Sequence, residues 1–280
     1  MPVARAFLIN AYKAACRAEI EALKPGNVHV FSDGHGMKAD QFLLSAEVTA
    51  APLTEPGVAI GRRILAAVDA TREAVGTNTN LGIVLLAAPL LAAAELPGHD
   101  LRANVGRVLD QLAMDDAAAV FEAIARASPG GLGSAGNDVR QPPRVGLVEA
   151  MRQAGDRDMI ARQYATGMAD VFTTGMRALA EAAERGETGM WPVVAVYLAF
   201  LETFPDSHVA RKHGLAVAAR VQSEAAATAT GLARRPAEAA RIDLLMHFDR
   251  RLKADGINPG TSADLTVACL LADALGRRLA

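Results

Sequence analysis

Four clusters of polar side chains interrupt a chain otherwise rich in alanine. The first gathers Lys24, Pro25, Gly26, Asn27, His29, Asp33 and His35 within twelve residues. A cation, an amide, a carboxylate and two imidazoles in one loop can bind an anion, move a proton or hold a metal. A helix-stop turn followed by a solvated loop would use the same residue types. The second cluster, Thr77, Asn78, Thr79 and Asn80, directly precedes a strongly apolar run. Asn and Thr cap helices, but one residue suffices for a cap, and a helix N-terminus there would also attract an anion. In the third, Asp206 or Ser207 can cap a helix on which His208, Arg211 and Lys212 fall at i, i+3 and i+4, sharing one face. That face is either a solvated basic patch or a phosphate clamp, with Arg forking onto oxygens and Lys acting as a point charge. The fourth runs from Gly256 to Leu265, where a turn and a serine cap explain Pro259, Gly260 and Ser262 but explain Asn258 and Asp264 less well.

Other motifs carry less. Gly131, Gly133 and Gly136 match the spacing of the dinucleotide fingerprint, but that motif works between a strand and a helix. Here a helical pattern ends before it, which rejects the dinucleotide reading and leaves a phosphate cradle or a plain connecting loop. No phosphate-loop motif, HExxH, CxxC or nucleophile elbow occurs. Cys16, Cys269, His99 and His247 read as core or surface residues.

The elements that must position these clusters are helices. Apolar residues recur with helical period over 4–23, 41–51, 57–75, 81–95, 101–112, 115–127, 156–185, 187–204, 207–224, 236–253 and 262–278. Pro25 and Gly26 stop the first, Pro89 is placed to kink the fourth, and Gly167 or Gly175 to bend the long seventh. No alternating run long enough for a strand appears, and no linker or repeat divides the chain. The expected fold is all-α, a single multi-helix domain of ten to twelve helices over residues 1–280.

Composition narrows the function. Twenty-nine basic against 31 acidic side chains, with no long basic run, argue against nucleic acid. The longest apolar stretches, 81–94 and 191–201, are shorter than the ~18 residues a membrane crossing needs. The N-terminus lacks signal-peptide character, and two distant cysteines suggest no disulfide framework. A cytoplasmic enzyme is expected, with a homodimer possible because alanine-rich faces can bury against a second copy.

Taken together, EIEALKPGNVHVFSDGHGM, TNTNLGIVLLAAPL, SPGGLG…DVR…P, RDMIARQYA, PDSHVARKHG and NPGTSADLTVA resemble, in order and spacing, the triphosphoribosyl-dephospho-CoA synthase family over roughly residues 10–275. The resemblance implies an all-α enzyme that transfers the triphosphoribosyl group of ATP to 3′-dephospho-CoA, releases adenine, and uses a divalent metal, usually Mg²⁺. Positions matching the family's motifs are Lys24, Pro25, Gly26 and Asn27; Asn78 and Asn80; Asp206, His208, Arg211 and Lys212; and Asn258, Gly260 and Asp264. The chain departs from it at His35-Gly36-Met37, which stands where members often carry His-x-Asp-Met, so that Asp33 or Asp40 would have to substitute. It departs again at NTNLG, where the citrate-lyase branch has NTHKG. These departures bear on the acceptor, and the alternative is a related ATP-dependent enzyme acting on a methanopterin- or methanofuran-type precursor. A third reading is a helical nucleotide-binding protein without chemistry.

Adenine displacement from the ribose passes through an oxocarbenium-like transition state. It asks for a carboxylate near the anomeric carbon, a proton donor to the base and cations on the triphosphate. Asp264 or Asp206 is expected as the carboxylate, with Asp33 competing. His35 or His208 is the expected acid, Lys24, Arg211 and Lys212 the phosphate cations, and Asp33 and Asp264 the Mg²⁺ ligands.

Overall fold

A computed structural model describes residues 3–127 and 141–280 of the chain. Within them it contains fourteen α-helices and one π-helical turn, and no strand. The first six helices are α1 (Arg5–Glu21), α2 (Ala39–Leu53), α3 (Ile60–Val75), α4 (Leu81–Glu95), α5 (Leu101–Asp110) and α6 (Met114–Ala127). Next come α7 (Leu147–Ala154), α8 (Met159–Ala165), the π turn Val171–Gly175 and α9 (Met176–Glu184). The chain ends with α10 (Trp191–Thr203), α11 (Ser207–His213), α12 (Leu215–Ala233), α13 (Glu238–Ala254) and α14 (Gly260–Leu279).

The all-α expectation holds, and the helix count exceeds ten to twelve for local reasons. The helix expected over 156–185 is broken after Ala165, where Gly167 and Met168 adopt φ +63° and +58° and the chain restarts through the π turn. The helix expected over 207–224 is two, because Gly214 at φ +88° separates α11 from α12. Helix α7 is added; eight residues beside Pro and Gly carry too little periodicity to read. Helix α4 runs through Pro89 to Glu95. Gly131, Gly133 and Gly136 lie outside the described residues.

The core is organised by α4, in which twelve of fifteen residues are buried, the signature of a helix apolar on all sides. Helix α14 packs along α4 and also touches α1 and α10. The approach is close at Gly175, where an added Cβ would lie 2.8 Å from both Cys269 Sγ and Phe200 Cζ. Both cysteines are buried and free. A second apolar cluster joins α10, α12 and α13. Helices α3 and α6 cross at Gly61, whose N–H donates to Asp116 Oδ1 at 2.8 Å while Asp116 Oδ2 accepts from Ala113 N–H at 2.9 Å. This packing turns the N-terminal ends of α4, α8, α11 and α14 toward one cavity.

Candidate active site

The turn after α1 is built to be rigid. Gly26 sits at φ +81°, and a Cβ there would come within 2.8 Å of Leu252 and Pro259, so glycine is required on both counts. Its N–H donates to the buried carboxylate of Asp249 at 2.9 Å, and the buried Tyr197 hydroxyl donates to Pro25 O at 2.7 Å. Lys24 is fully buried; its ammonium reaches Glu19 at 2.7 Å, Asn27 Oδ1 at 3.0 Å and Val28 O at 2.7 Å. Burial pushes the Glu19 carboxyl up and the Lys24 ammonium down, and their mutual attraction draws both back. Asn27 in turn donates through Nδ2 to Asn258 Oδ1 at 2.8 Å. One chain of contacts thus clips the end of α1 to the start of α14.

Ten of the expected site residues line a single cavity of about 1260 Å³: Asn27, His35, Asn78, Asn80, His208, Arg211, Lys212, Asn258, Gly260 and Asp264. They come from segments up to 237 residues apart and meet only through the fold. Four do not line it: Lys24, Gly26, Asp206 and Asp33. Lys24 has its three donors committed behind the wall, so it positions Asn27 and does not reach phosphate. Gly26 shapes the turn. Asp206 is buried with both oxygens engaged: Oδ1 accepts from His208 and Val209 N–H at 2.9 and 3.0 Å, and Oδ2 from the N–H and hydroxyl of Ser262 at 2.8 Å. It is the cap of α11 and a brace to α14, not a free catalytic carboxylate. Asp33 is exposed in the loop and Asp40 exposed in the first turn of α2, and neither lines the cavity.

The carboxylate that remains is Asp264. It stands in the first turns of α14, with its side chain pressed against Gly82 of α4. A Cβ on Gly82 would overlap Asp264 Oδ2 and lie 2.6 Å from Cγ. Burial, reinforced by the negative charges of Glu19 and Asp206, holds the Asp264 carboxyl well above the usual carboxylate range. Glu19 and Asp158, the other carboxylates at the cavity among the described residues, are paired with Lys24 and Arg211 at 2.7 and 2.5 Å.

Two imidazoles face Asp264's cavity. His208 is lowered to about 4 by burial and by the positive charges of Arg211 and Lys212, so it is neutral near pH 7 with its buried Nε2 unpartnered among the described residues. His35 and Gly36 occupy the centre of a tight turn closed by Gly34 and Met37, with φ +56° and +75°, the pair of left-handed residues a type I′ turn needs. His35 Nε2–H donates to Gly26 O at 2.8 Å, which leaves Nδ1 as the unprotonated nitrogen of the neutral ring. Burial lowers this histidine too. Asn80 Oδ1 accepts from Thr71 at 3.0 Å, and its buried Nδ2, close to the Tyr12 hydroxyl, makes no hydrogen bond of ordinary geometry among the described residues, a donor available to a ligand. Asn78 caps α4 through the N–H of Leu81 at 3.1 Å.

Several site-shaping residues were not evident from spacing. Asp249 and Lys253 form an i,i+4 pair at 3.1 Å, a pattern that normally marks a solvated helix face. Here Asp249 is buried and also meets His29 Nε2 at 3.2 Å. Although burial opposes it, the His29 hydrogen bond and the neighbouring cation keep Asp249 below the usual carboxylate range. Glu19, Arg72, Arg157 and Asp158 reach the cavity from ordinary amphipathic segments.

Among the described residues a magnesium ion would meet one suitable carboxylate. Among the described residues no three His, Cys, Asp or Glu side chains gather as a metal cage. Magnesium, however, is commonly held by one or two carboxylates together with substrate phosphates. Asp264, which lines the cavity and accepts no hydrogen bond among the described residues, fits that use; Asp33 does not line the cavity.

The comparisons with known proteins agree with one another. Residues 5–280 match the family model described as ATP:dephospho-CoA triphosphoribosyl transferase. The chain also resembles a crystal structure from Archaeoglobus fulgidus named as a triphosphoribosyl-dephospho-CoA synthase, with 27% identity and a TM-score of 0.65, covering 84% of this chain and 99% of that one. No curated protein matches.

Proposed function

Because the chain belongs to the ATP:dephospho-CoA triphosphoribosyl transferase family, we propose that the cavity joins the ribose of ATP to a hydroxyl of 3′-dephospho-CoA around Asp264. The bond from the ribose anomeric carbon to adenine breaks, a bond from that carbon to the acceptor oxygen forms, and the hydroxyl proton must leave. Asp264, when ionised, takes this proton, and its raised affinity for protons suits a base. The observation that carries the reading is this carboxylate, unpaired among the described residues, on a cavity wall shared with two neutral imidazoles and the ends of four helices.

The triphosphate is held by Arg211 and Lys212, with the N-terminal ends of α4 and α14 adding positive potential. Arg211 is oriented by Asp158. As the triphosphate offsets these cations, His208 regains its proton and becomes the acid that lets adenine leave. Catalytic charge then appears only when substrate is in place. Asn27, Asn80 and Asn258 supply hydrogen bonds to the substrates, and Mg²⁺, when bound, would be held by Asp264 with phosphate oxygens and would neutralise phosphate charge. The reading assigns the enzyme to the cytoplasm, which two free cysteines suit. No helix among the described residues is long and apolar enough to cross a membrane.

The test is adenine release by the Asp264→Asn variant with ATP, Mg²⁺ and 3′-dephospho-CoA. Turnover should fall by about 10²–10⁴-fold with the fold intact; near-normal turnover with an unchanged pH profile would remove Asp264 from the mechanism.

A further inference from the structure

The cavity is larger than the roughly 300–1,000 Å³ that one small ligand uses, and its two halves differ. The residues given a direct part in the chemistry come from the loop after α1, from α11 and α14 and from the N-terminus of α4, with Asp158 at the start of α8 orienting Arg211. The wall supplied by α6, α7 and the body of α8 holds none of them. Its interior is apolar, with Phe121, Ile124, Met151 and Ile160 on the wall, and all four also belong to or border the main core. At its edge stand Arg72, at the end of α3, and Arg157, between α7 and α8; both are exposed, and neither has an ion-pair or hydrogen-bond partner for its side chain among the described residues. Other arginines at the cavity are engaged: Arg211 with Asp158, and Arg126 with Asp69 and Glu122.

An apolar trough with two uncommitted guanidinium groups at its rim suits a ligand that joins a phosphate to a long, weakly polar arm. A triphosphate alone would leave the trough unfilled, and a purely apolar ligand would leave the arginines idle. We propose that this half is the acceptor subsite: the pantetheine arm of dephospho-CoA lies along α6, α7 and α8, and Arg72 and Arg157 hold its diphosphate. The inference rests on the transferase reading above and adds to it which wall selects the acceptor. It makes Arg72 and Arg157 binding residues for the acceptor alone, separate from the Arg211–Lys212 pair that serves ATP.

The test uses the full chain carrying Arg72→Glu and Arg157→Glu together. Both side chains are solvent-exposed, so folding should be preserved, and a thermal melt checks this. Two readouts are taken: adenine-release kinetics with each substrate varied, and calorimetric binding of 4′-phosphopantetheine in the absence of ATP. The expected result is a KM for 3′-dephospho-CoA raised at least tenfold, a KM for ATP within twofold of the parent, and loss of 4′-phosphopantetheine binding. If the double variant raises the KM for ATP instead, or leaves both KM values unchanged, the subsite is wrong while the transferase reading stands. If the parent protein releases no adenine, that reading fails on its own, and the trough is then judged by calorimetry. Binding of 4′-phosphopantetheine that the double variant loses supports it, and no binding to the parent overturns it.

Discussion

Replacing Gly82 with alanine tests the Asp264 assignment without touching Asp264. The new Cβ would stand 2.6 Å from Asp264 Cγ and 3.2 Å from its Cβ, against an ordinary carbon–carbon separation of about 3.5–4.0 Å. The carboxylate must therefore retreat by about 1 Å. It can do so by rotating away from its favoured position, at about 0.5–1.5 kcal/mol. The helix gains up to about 1 kcal/mol from exchanging Gly for Ala. The two effects nearly cancel, so Tm should move by no more than about 4 °C. Activity should respond very differently, since a displacement of about 1 Å at a reacting group can lower turnover by about 10²-fold. Adenine release and a thermal melt on the same preparation give both quantities. The Asp264→Ala/Gly82→Ala double variant completes the cycle: if Gly82 acts through Asp264, the double variant is no slower than Asp264→Ala alone. Turnover of Gly82→Ala within about threefold of the parent would refute the claim that the carboxylate's position matters.

The remaining predictions concern charge. ATP binding should take up protons as the triphosphate offsets the Arg211 and Lys212 charges which, after burial, hold His208 down to about 4. The uptake should be greatest between that value and the unperturbed value of about 6.5 and vanish at pH 8, measurable by calorimetry in buffers of different ionisation heat, and His208→Gln should abolish it. The same lowered value means that the ligand-free fold loses stability as pH falls from about 6.5 toward 4, because the unfolded imidazole accepts a proton the folded one refuses; a pH series of melts should show this loss reduced in His208→Gln. Lys24→Met should cost about 3–5 kcal/mol by leaving Glu19 buried and unpaired, seen in denaturant unfolding.

The sequence made visible what local rules govern. Amphipathic periodicity located most helices, and polar residues standing where alanine would serve marked Asn27, Asn80, His208, Asn258 and Asp264, all of which meet in the cavity. Glycine conformations were less legible: Gly167 and Gly214 break helices only because the chain must redirect there, and periodicity continues across both. The role of Lys24 was misjudged because a lysine in a loop reads as a free cation; only the fold reveals that Glu19 and Val28 occupy it. Asp206 shows the same difficulty, since capping and catalysis use the same carboxylate and Ser262, 56 residues later, decides between them. Asp249 lay hidden because an i,i+4 pair with Lys253 looks solvated until α13 is packed against the turn at Gly26.

The most direct measurement is adenine release from ATP and Mg²⁺ by the purified protein, with and without 3′-dephospho-CoA, followed by the mass of the acceptor. The account predicts release that requires 3′-dephospho-CoA, with the acceptor gaining the mass of one triphosphoribosyl group. Adenine release that ignores the acceptor, or ATP binding with no release, would contradict it.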